Sequence, residues 1–153
     1  MNHLRLGILI FVSIACMVGP TYGQQTGRDR YEHDRLQKQQ RDATFRKLST
    51  GVIAMNKLSY KSKIDGLEIP FYLFEPLSIR GIKGHAALVW IHGGVHGNLD
   101  PAYFPFIREA VERGYVVLAP EYRGSTGYGR THHEAIDYGG FEIDDCLTAV
   151  DYI

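Results

Sequence analysis

The stretch Val89–Leu99, VWIHGGVHGNL, changes from apolar residues to glycine and histidine within a few positions. The apolar run extends back to Ala86, and a continuous run of this length is typical of a strand covered on both faces, as in a parallel sheet. We therefore predict a strand over Ala86–Ile91 that leads into a glycine-rich turn. A second run of the same kind, YVVLA, covers Tyr115–Ala119.

A helix is predicted between these two strands. Asp100 can cap its start, Gly114 can end it, and a proline is tolerated in its first turn. Its apolar stripe contains Phe104, Ile107 and Val111. Strand, helix and strand in this order form a crossover unit, in which the two strands lie parallel in one sheet.

Two extended segments precede the crossover unit, and a further helix follows it. Residues 52–62 and 67–76 flank a turn at Asp65 and Gly66, which predicts an antiparallel pair. The last helix begins near Phe141. Its apolar residues share one face at helical spacing and are Ile143, Cys146, Leu147, Val150 and Ile153.

This order of elements predicts an α/β class protein with a partial α/β-hydrolase fold. It contains strands 1 to 4 with helices A and B and ends before the strand that bears the nucleophile. In that fold, the loop after the third strand gives one backbone N–H to the oxyanion hole, and the residue after the nucleophile gives another. Glycine suits this loop because no Cβ blocks the substrate oxygen. Gly94, with Val95 as the neighbouring alternative, is the candidate donor, and an ordinary glycine turn is the competing interpretation.

The segment Glu121–Ile153, EYRGSTGYGRTHHEAIDYGGFEIDDCLTAVDYI, resembles the prolyl oligopeptidase family of serine hydrolases, particularly its acylaminoacyl-peptidase-like members. In that family the fourth strand runs into an Arg-Gly-Ser-x-Gly-Tyr-Gly loop, and a Gly-Gly turn then opens a helix with an acidic head. The matching positions here are Arg123, Gly124, Ser125, Gly127, Tyr128 and Gly129 for the loop, Gly139 and Gly140 for the turn, and Glu142, Asp144 and Asp145 for the helix. The resemblance extends from about Ala86 to Ile153.

The resemblance implies a serine-type peptidase that cleaves peptide bonds through an acyl-enzyme, with a peptide or small ester as substrate. An esterase of the same fold and a short non-catalytic binding module are the alternatives. Many family members have proline where this chain has Val95. The choice between Gly94 and Val95 as the oxyanion donor therefore stays open. Larger members carry a β-propeller, which residues 24–50 are too few to form.

No residue of the chain fits the role of nucleophile. The nucleophile elbow reads G-x-S-x-G, whereas Ser125 has Arg123 two positions before it. In this fold the triad order is serine, acid, histidine, so a histidine that precedes the serine cannot be its base. The histidines concerned are His85, His92, His96, His132 and His133. We expect an N-terminal fragment that is inactive alone, with nucleophile, acid and base beyond Ile153.

No cofactor or metal is expected. His92 and His96 stand four residues apart, a spacing that aligns metal ligands on a helix. The glycines between and beside them make a helix improbable. A site completed by His132 or His133 is therefore disfavoured, and local hydrogen bonding is the expected role of these histidines.

The first 23 residues have the features of a signal peptide. Arg5 precedes an apolar run over Leu6–Val18, which Pro20 ends ahead of a cleavage site after Gly23. The run is shorter than the ~20 residues needed to span a bilayer. We expect a secreted or periplasmic protein, with an uncleaved membrane anchor as the alternative and lipid attachment at Cys16 ranked below both.

The remaining chain divides into a polar lead-in over residues 24–50 and the hydrolase segment over residues 51–153. The lead-in has few large apolar residues, which predicts a mobile segment or a loosely attached helix. Seventeen basic and 17 acidic side chains cancel, and no basic cluster could follow a phosphate backbone, so nucleic acid is excluded as a partner. Membrane contact is expected only through an uncleaved signal segment. Cys146 lies on an apolar stripe and is expected to be inert.

Overall fold

The computed structural model describes residues 27–78 and 84–153, so the predicted signal segment and Cys16 lie outside the described residues. The helices are α1 (Gly27–Ser49), α2 (Phe104–Glu112), α3 (Arg130–Glu134) and α4 (Phe141–Tyr152). The strands are β1 (Ala54–Lys61), β2 (Glu68–Glu75), β3 (Ala87–Val89) and β4 (Val116–Pro120). In this part of the chain, no helix has the length and apolar character needed to cross a membrane.

The strands form one mixed sheet in the order β1-β2-β4-β3. β2 pairs antiparallel with β1 and with β4, whereas β3 and β4 are parallel and are joined through α2. The predicted antiparallel pair and the crossover unit are therefore confirmed. Asp100 caps the short 3-10 turn Pro101–Tyr103 that precedes α2, because its carboxylate accepts a hydrogen bond from the Ala102 N–H at 2.8 Å.

The prediction that both apolar runs are covered on both faces is correct for β4 and wrong for β3. Val117–Pro120 are buried, whereas Leu88 is 41% exposed. β3 is also shorter than the predicted strand over residues 86–91. The position of β3 in the sheet explains its exposure and its short length, because among the described residues β3 has a pairing strand on one side only.

The core lies on both faces of the sheet. α1 and α2 cover one face, where the buried side chains are Phe45, Ile53, Tyr72, Phe74, Leu99, Phe104, Ile107, Val111, Val117 and Ala119. α4 covers part of the other face, where the buried side chains are Tyr60, Ile69, Phe71, Leu118 and Ala149. The alternation of Val117 and Leu118 between these two groups follows from the two-residue period of a strand.

For residues 27–49 the helix alternative of the lead-in prediction is correct, whereas the expected mobility or loose attachment is wrong. They form α1, and Phe45 is fully buried with its ring centroid 5.1 Å from that of Tyr72. Lys38 and Asp42 are also buried, because the sheet supplies charged and hydroxyl partners for them. Composition alone does not reveal such partners.

The final helix is confirmed, but its apolar stripe does not face the sheet. Ile143, Leu147 and Val150 are each more than half exposed, whereas Asp145 and Ala149 are fully buried. α4 therefore packs through a short polar and small-residue face and presents its larger apolar residues outward.

Candidate active site

The glycine-rich turn lies at the carboxyl end of β3, where the two parallel strands end together. Gly94 adopts a positive φ of 73°, and its carbonyl accepts a hydrogen bond from the Gly97 N–H at 3.0 Å. Gly94 is exposed and Val95 half-buried. Among the described residues, neither the Gly94 N–H nor the Val95 N–H donates a hydrogen bond. Both amides are therefore free to bind a negatively charged oxygen.

The loop after β4 holds the far end of this turn. His96 Nδ1 donates to the Gly124 carbonyl at 2.9 Å, and the Thr126 N–H donates to the Gly97 carbonyl at 2.9 Å. Gly124 is required at its position, because a Cβ there would lie 2.8 Å from the Val95 carbonyl oxygen and its φ is 93°. The family-like loop Arg123–Gly129 thus supports the turn from one side.

Ser125 and His92 lie side by side beneath the turn. Ser125 is fully buried and its hydroxyl donates to the Tyr122 carbonyl at 2.6 Å. His92 Nε2 lies 2.9 Å from Ser125 Oγ, and His92 Nδ1 lies 3.3 Å from the Gly93 carbonyl oxygen. Burial lowers the pKa of His92, which favours the neutral ring. Because the Ser125 hydroxyl is fully buried and donates to the Tyr122 carbonyl, it is not presented to a substrate, and the pair has a structural role.

The other histidines also make local contacts. His132 Nε2 lies 3.0 Å from the carbonyls of Glu121 and Tyr122, and burial lowers its pKa. His133 stacks on His96 with ring centroids 3.8 Å apart, and Arg30 donates to its Nε2 at 2.5 Å. Within residues 27–78 and 84–153, no group of three or more His, Cys, Asp or Glu side chains is arranged to hold a metal ion.

Arg123 joins the loop after β4 to α4 and to the β1–β2 turn. Its Nε donates to Asp145 at 2.8 Å, and both side chains are buried. Its Nη1 donates to the more exposed Asp65 at 2.9 Å. Hydrogen bonds to these carboxylates, that to Asp145 above all, raise the pKa of Arg123. Sequence reasoning placed Asp145 in the acidic helix head and missed this pairing, which depends on residues far apart in the chain.

A second buried ion pair joins α1 to the end of β4. Lys38 Nζ lies 3.0 Å from Glu121 Oε1, which also accepts the Leu99 N–H at 2.9 Å. Burial lowers the pKa of Lys38 even though the carboxylate of Glu121 opposes that shift. Sequence reasoning missed this pair. The buried residues of α1 are Lys38, Asp42, Phe45 and Ser49, and because only one of the four is apolar, no apolar stripe marked the packed face.

An apolar cavity of about 230 Å³ adjoins the turn. It is lined by Ile91, Val95, Tyr122, Glu142, Ile143 and Cys146. Burial raises the pKa of the Cys146 thiol to about 12, so the thiol stays protonated near neutral pH. This agrees with the expectation that Cys146 is inert.

Comparison with known proteins adds a family match. Residues 102–153 match the family described as the prolyl oligopeptidase family. The uncharacterized peptidase YuxL of Bacillus subtilis is 35% identical over 89 residues, which are 57% of this chain and 14% of that protein. Dipeptidyl-peptidase 5 of Porphyromonas gingivalis is 36% identical over 74 residues, 45% of this chain and 11% of that protein. The chain thus spans a small part of the length of these relatives.

Solved structures agree on the fold. The acylaminoacyl peptidase of Pyrococcus horikoshii superposes with a TM-score of 0.56 at 21% identity, over 72% of this chain and 18% of that one. A puromycin-hydrolyzing peptidase of Mycobacterium tuberculosis superposes with a TM-score of 0.58 at 23% identity, over 64% of this chain and 16% of that one. The resemblance inferred from sequence is therefore confirmed: residues 102–153 match the prolyl oligopeptidase family, and the chain has a partial α/β-hydrolase fold.

Proposed function

We propose that this chain is the N-terminal part of the catalytic domain of an exported serine peptidase, whose nucleophile, acid and base follow Ile153. The observation that carries the proposal is the pair of unbonded amides, Gly94 and Val95, at the carboxyl end of β3. Preorganised N–H groups at such a position stabilise the oxyanion of an acyl-transfer transition state. The family match and the peptidases among its relatives support the same chemistry.

In the proposed reaction a serine hydroxyl attacks the carbonyl carbon of a peptide bond. The histidine base takes the hydroxyl proton, the carbonyl π electrons move to the oxygen, and the Gly94 or Val95 N–H donates to that oxygen. Collapse of the intermediate breaks the C–N bond, and the protonated histidine gives its proton to the leaving amine. Water then hydrolyses the acyl-enzyme. Neither half of the reaction requires a metal or cofactor.

The surface next to the turn also supports the proposal. β3 forms an edge of the sheet within the described residues, and the exposed apolar residues Ile143, Leu147 and Val150 of α4 lie on the neighbouring helix. A free strand edge beside an apolar helix face is a place where further strands add. In the proposed complete domain, the strand that bears the nucleophile pairs with β3 and brings the serine to the turn.

Export is the second part of the proposal. Its support is the sequence pattern of residues 1–23, with cleavage after Gly23. The test is the mass of the protein recovered outside the cytoplasm of its host. A mature chain that begins at Gln24 supports export by cleavage, whereas an uncleaved chain in the membrane fraction or a lipid on Cys16 supports one of the alternatives.

The experiment that tests the catalytic proposal uses the chain joined to the segment that the proposal places after Ile153, read from the downstream DNA, and the lack of a G-x-S-x-G sequence there contradicts the proposal. We expect this extended protein to hydrolyse peptide anilides, while the 153-residue chain alone hydrolyses neither anilides nor esters. If the extended protein hydrolyses esters but not anilides, the result indicates the esterase alternative. A folded extended protein that hydrolyses neither substrate contradicts the proposal and favours a binding module.

Val95→Pro separates the two candidate donors, because proline has no N–H, and Val95→Ala is the matched control that keeps it. If Gly94 is the donor, as we propose, the proline variant keeps kcat within a few-fold of the alanine variant. If Val95 is the donor, kcat falls about 10²–10³-fold in the proline variant alone.

A further inference from the structure

One tyrosine hydroxyl lies against two carbonyls of the glycine turn. The Tyr122 hydroxyl is 3.1 Å from the His92 carbonyl oxygen and 3.1 Å from the Gly94 carbonyl oxygen, so a single proton is shared between them. The Tyr122 ring is buried and stacks on the His92 ring with centroids 4.5 Å apart and planes 14° from parallel. Burial, with further contributions from nearby negative charges, raises the pKa of Tyr122, so the hydroxyl retains its proton.

These two contacts bracket the candidate oxyanion donors. The Gly94 carbonyl and the Val95 N–H belong to one rigid peptide plane and point in opposite directions, so holding the carbonyl directs the N–H. The His92 carbonyl likewise directs the Gly93 N–H. The Gly94 N–H belongs to the peptide between these two planes. Because Gly93 and Gly94 lack a Cβ, their backbone torsions have little steric restraint, and an external contact is needed to restrict them.

We propose that Tyr122 is a positioning residue, whose hydroxyl orients the Gly94 and Val95 amides toward the reacting carbonyl. This role rests on the proposed function. It is distinct from catalysis by Tyr122 itself, because the hydroxyl contacts the turn and has no free proton to offer a substrate.

The loop that carries Tyr122 is itself held in place. The Tyr122 carbonyl accepts hydrogen bonds from Ser125 Oγ at 2.6 Å and from His132 Nε2 at 3.0 Å. His92 Nε2 closes the arrangement by its contact with Ser125 Oγ at 2.9 Å. The role of the buried Ser125 is therefore to hold Tyr122 in place, and Tyr122 in turn holds the glycine turn.

The first test measures amide hydrogen exchange in the 153-residue chain by mass spectrometry at low concentration. Tyr122→Phe keeps the ring stack and removes only the hydroxyl. The reporter is the Gly97 N–H, whose acceptor is the Gly94 carbonyl. We expect its exchange to be about fivefold faster in the variant, because one of the two contacts that hold the acceptor is lost.

Tyr60→Phe is the matched control, because the Tyr60 hydroxyl is also buried and also donates to a main-chain carbonyl, that of Asp145, at 2.7 Å. It lies away from the turn, and we expect unchanged exchange at Gly97. Equal exchange in wild type and Tyr122→Phe overturns the proposal, as does equally faster exchange in both variants.

The second test measures peptide anilide hydrolysis by the extended protein. We expect Tyr122→Phe to lower kcat about tenfold and to leave KM within twofold, because a misdirected donor weakens transition-state binding more than substrate binding. A kcat equal to that of wild type, with faster exchange at Gly97, overturns the catalytic role. If the wild-type extended protein hydrolyses nothing, the proposed function fails, and the exchange result alone decides whether Tyr122 braces the turn.

Discussion

The α1 side and the β3–α4 side of the sheet differ in how completely they are covered. On the α1 side, charged residues are buried: Lys38 is 2% exposed and Glu121 is fully buried. On the β3–α4 side, apolar residues are exposed: Ile91 is 56% and Leu147 is 58% exposed. Buried charges are tolerated only where partners match them, and clustered exposed apolar residues mark a contact surface. The α1 side is thus a packed interior, and we propose that the β3–α4 side is covered in the complete domain.

The largest expected effect is on the α1 side. Lys38→Met removes the cation and leaves the buried carboxylate of Glu121 without a counter-charge. We expect the free energy of unfolding to fall by about 3–5 kcal/mol, the usual cost of breaking a buried ion pair. Urea denaturation measures this change. The double variant Lys38→Met with Glu121→Gln removes both charges and should recover most of the loss; no recovery would mean that the pair is not coupled.

The Arg123 contacts offer a comparison within one side chain. Asp145→Asn breaks a pair in which both side chains are buried, and we expect a loss of about 3 kcal/mol. Asp65→Asn breaks a pair whose carboxylate is 43% exposed, and we expect a loss below about 1 kcal/mol. Urea denaturation of both variants checks the order. Equal losses would show that burial does not set the value of these contacts.

Acid should weaken the fold before its carboxylates titrate. Burial lowers the pKa of His92 and of His132 below the unfolded value of about 6.5, so the unfolded state binds more protons below that pH. The free energy of unfolding therefore falls as the pH drops from about 6.5 to 5, by up to about 1.4 kcal/mol per pH unit for each histidine. Urea denaturation across this range measures the slope. His132→Gln should make it shallower, and an unchanged slope would exclude a contribution from His132.

The smallest expected effect on stability is on the β3–α4 side. Leu147→Gln changes a largely exposed residue, and we expect the free energy of unfolding to change by less than about 0.5 kcal/mol. The exposed edge and apolar stripe should nevertheless cause concentration-dependent self-association of the 153-residue chain, which this variant reduces. Light scattering over a concentration series compares the two chains. A wild-type chain that stays monomeric at every concentration contradicts our account of this surface.

Sequence periodicity predicted the parts of the fold that depend on near neighbours. The hairpin of β1 and β2, the crossover through α2 and the turn after β3 all follow from local patterns of apolar residues, glycine and caps. The tight docking of α1 could not be predicted in this way, because Lys38 and Glu121 lie far apart in the chain. The local sequence around one of them does not indicate that the other is its partner. The same holds for Arg123 and Asp145, and for Tyr122, whose contact with Gly94 depends on how two loops meet.

The orientation of α4 was also beyond the sequence. Its apolar spacing placed Ile143, Leu147 and Val150 on one face, and these residues are exposed, whereas Asp145 and Ala149 face the sheet. Periodicity identifies which residues of a helix share a face, but it does not say which partner covers that face. In this chain the inward face of α4 carries Asp145, which pairs with Arg123.

The central proposal is that Ser125 is structural and that the nucleophile follows Ile153. Its most direct test is labelling with a fluorophosphonate, which reacts with activated serines, followed by mass spectrometry to locate the adduct. We predict no adduct on the 153-residue chain, and in the extended protein a single adduct on a serine after Ile153 within a G-x-S-x-G sequence. An adduct on Ser125, or on any serine of the 153-residue chain, would contradict the account.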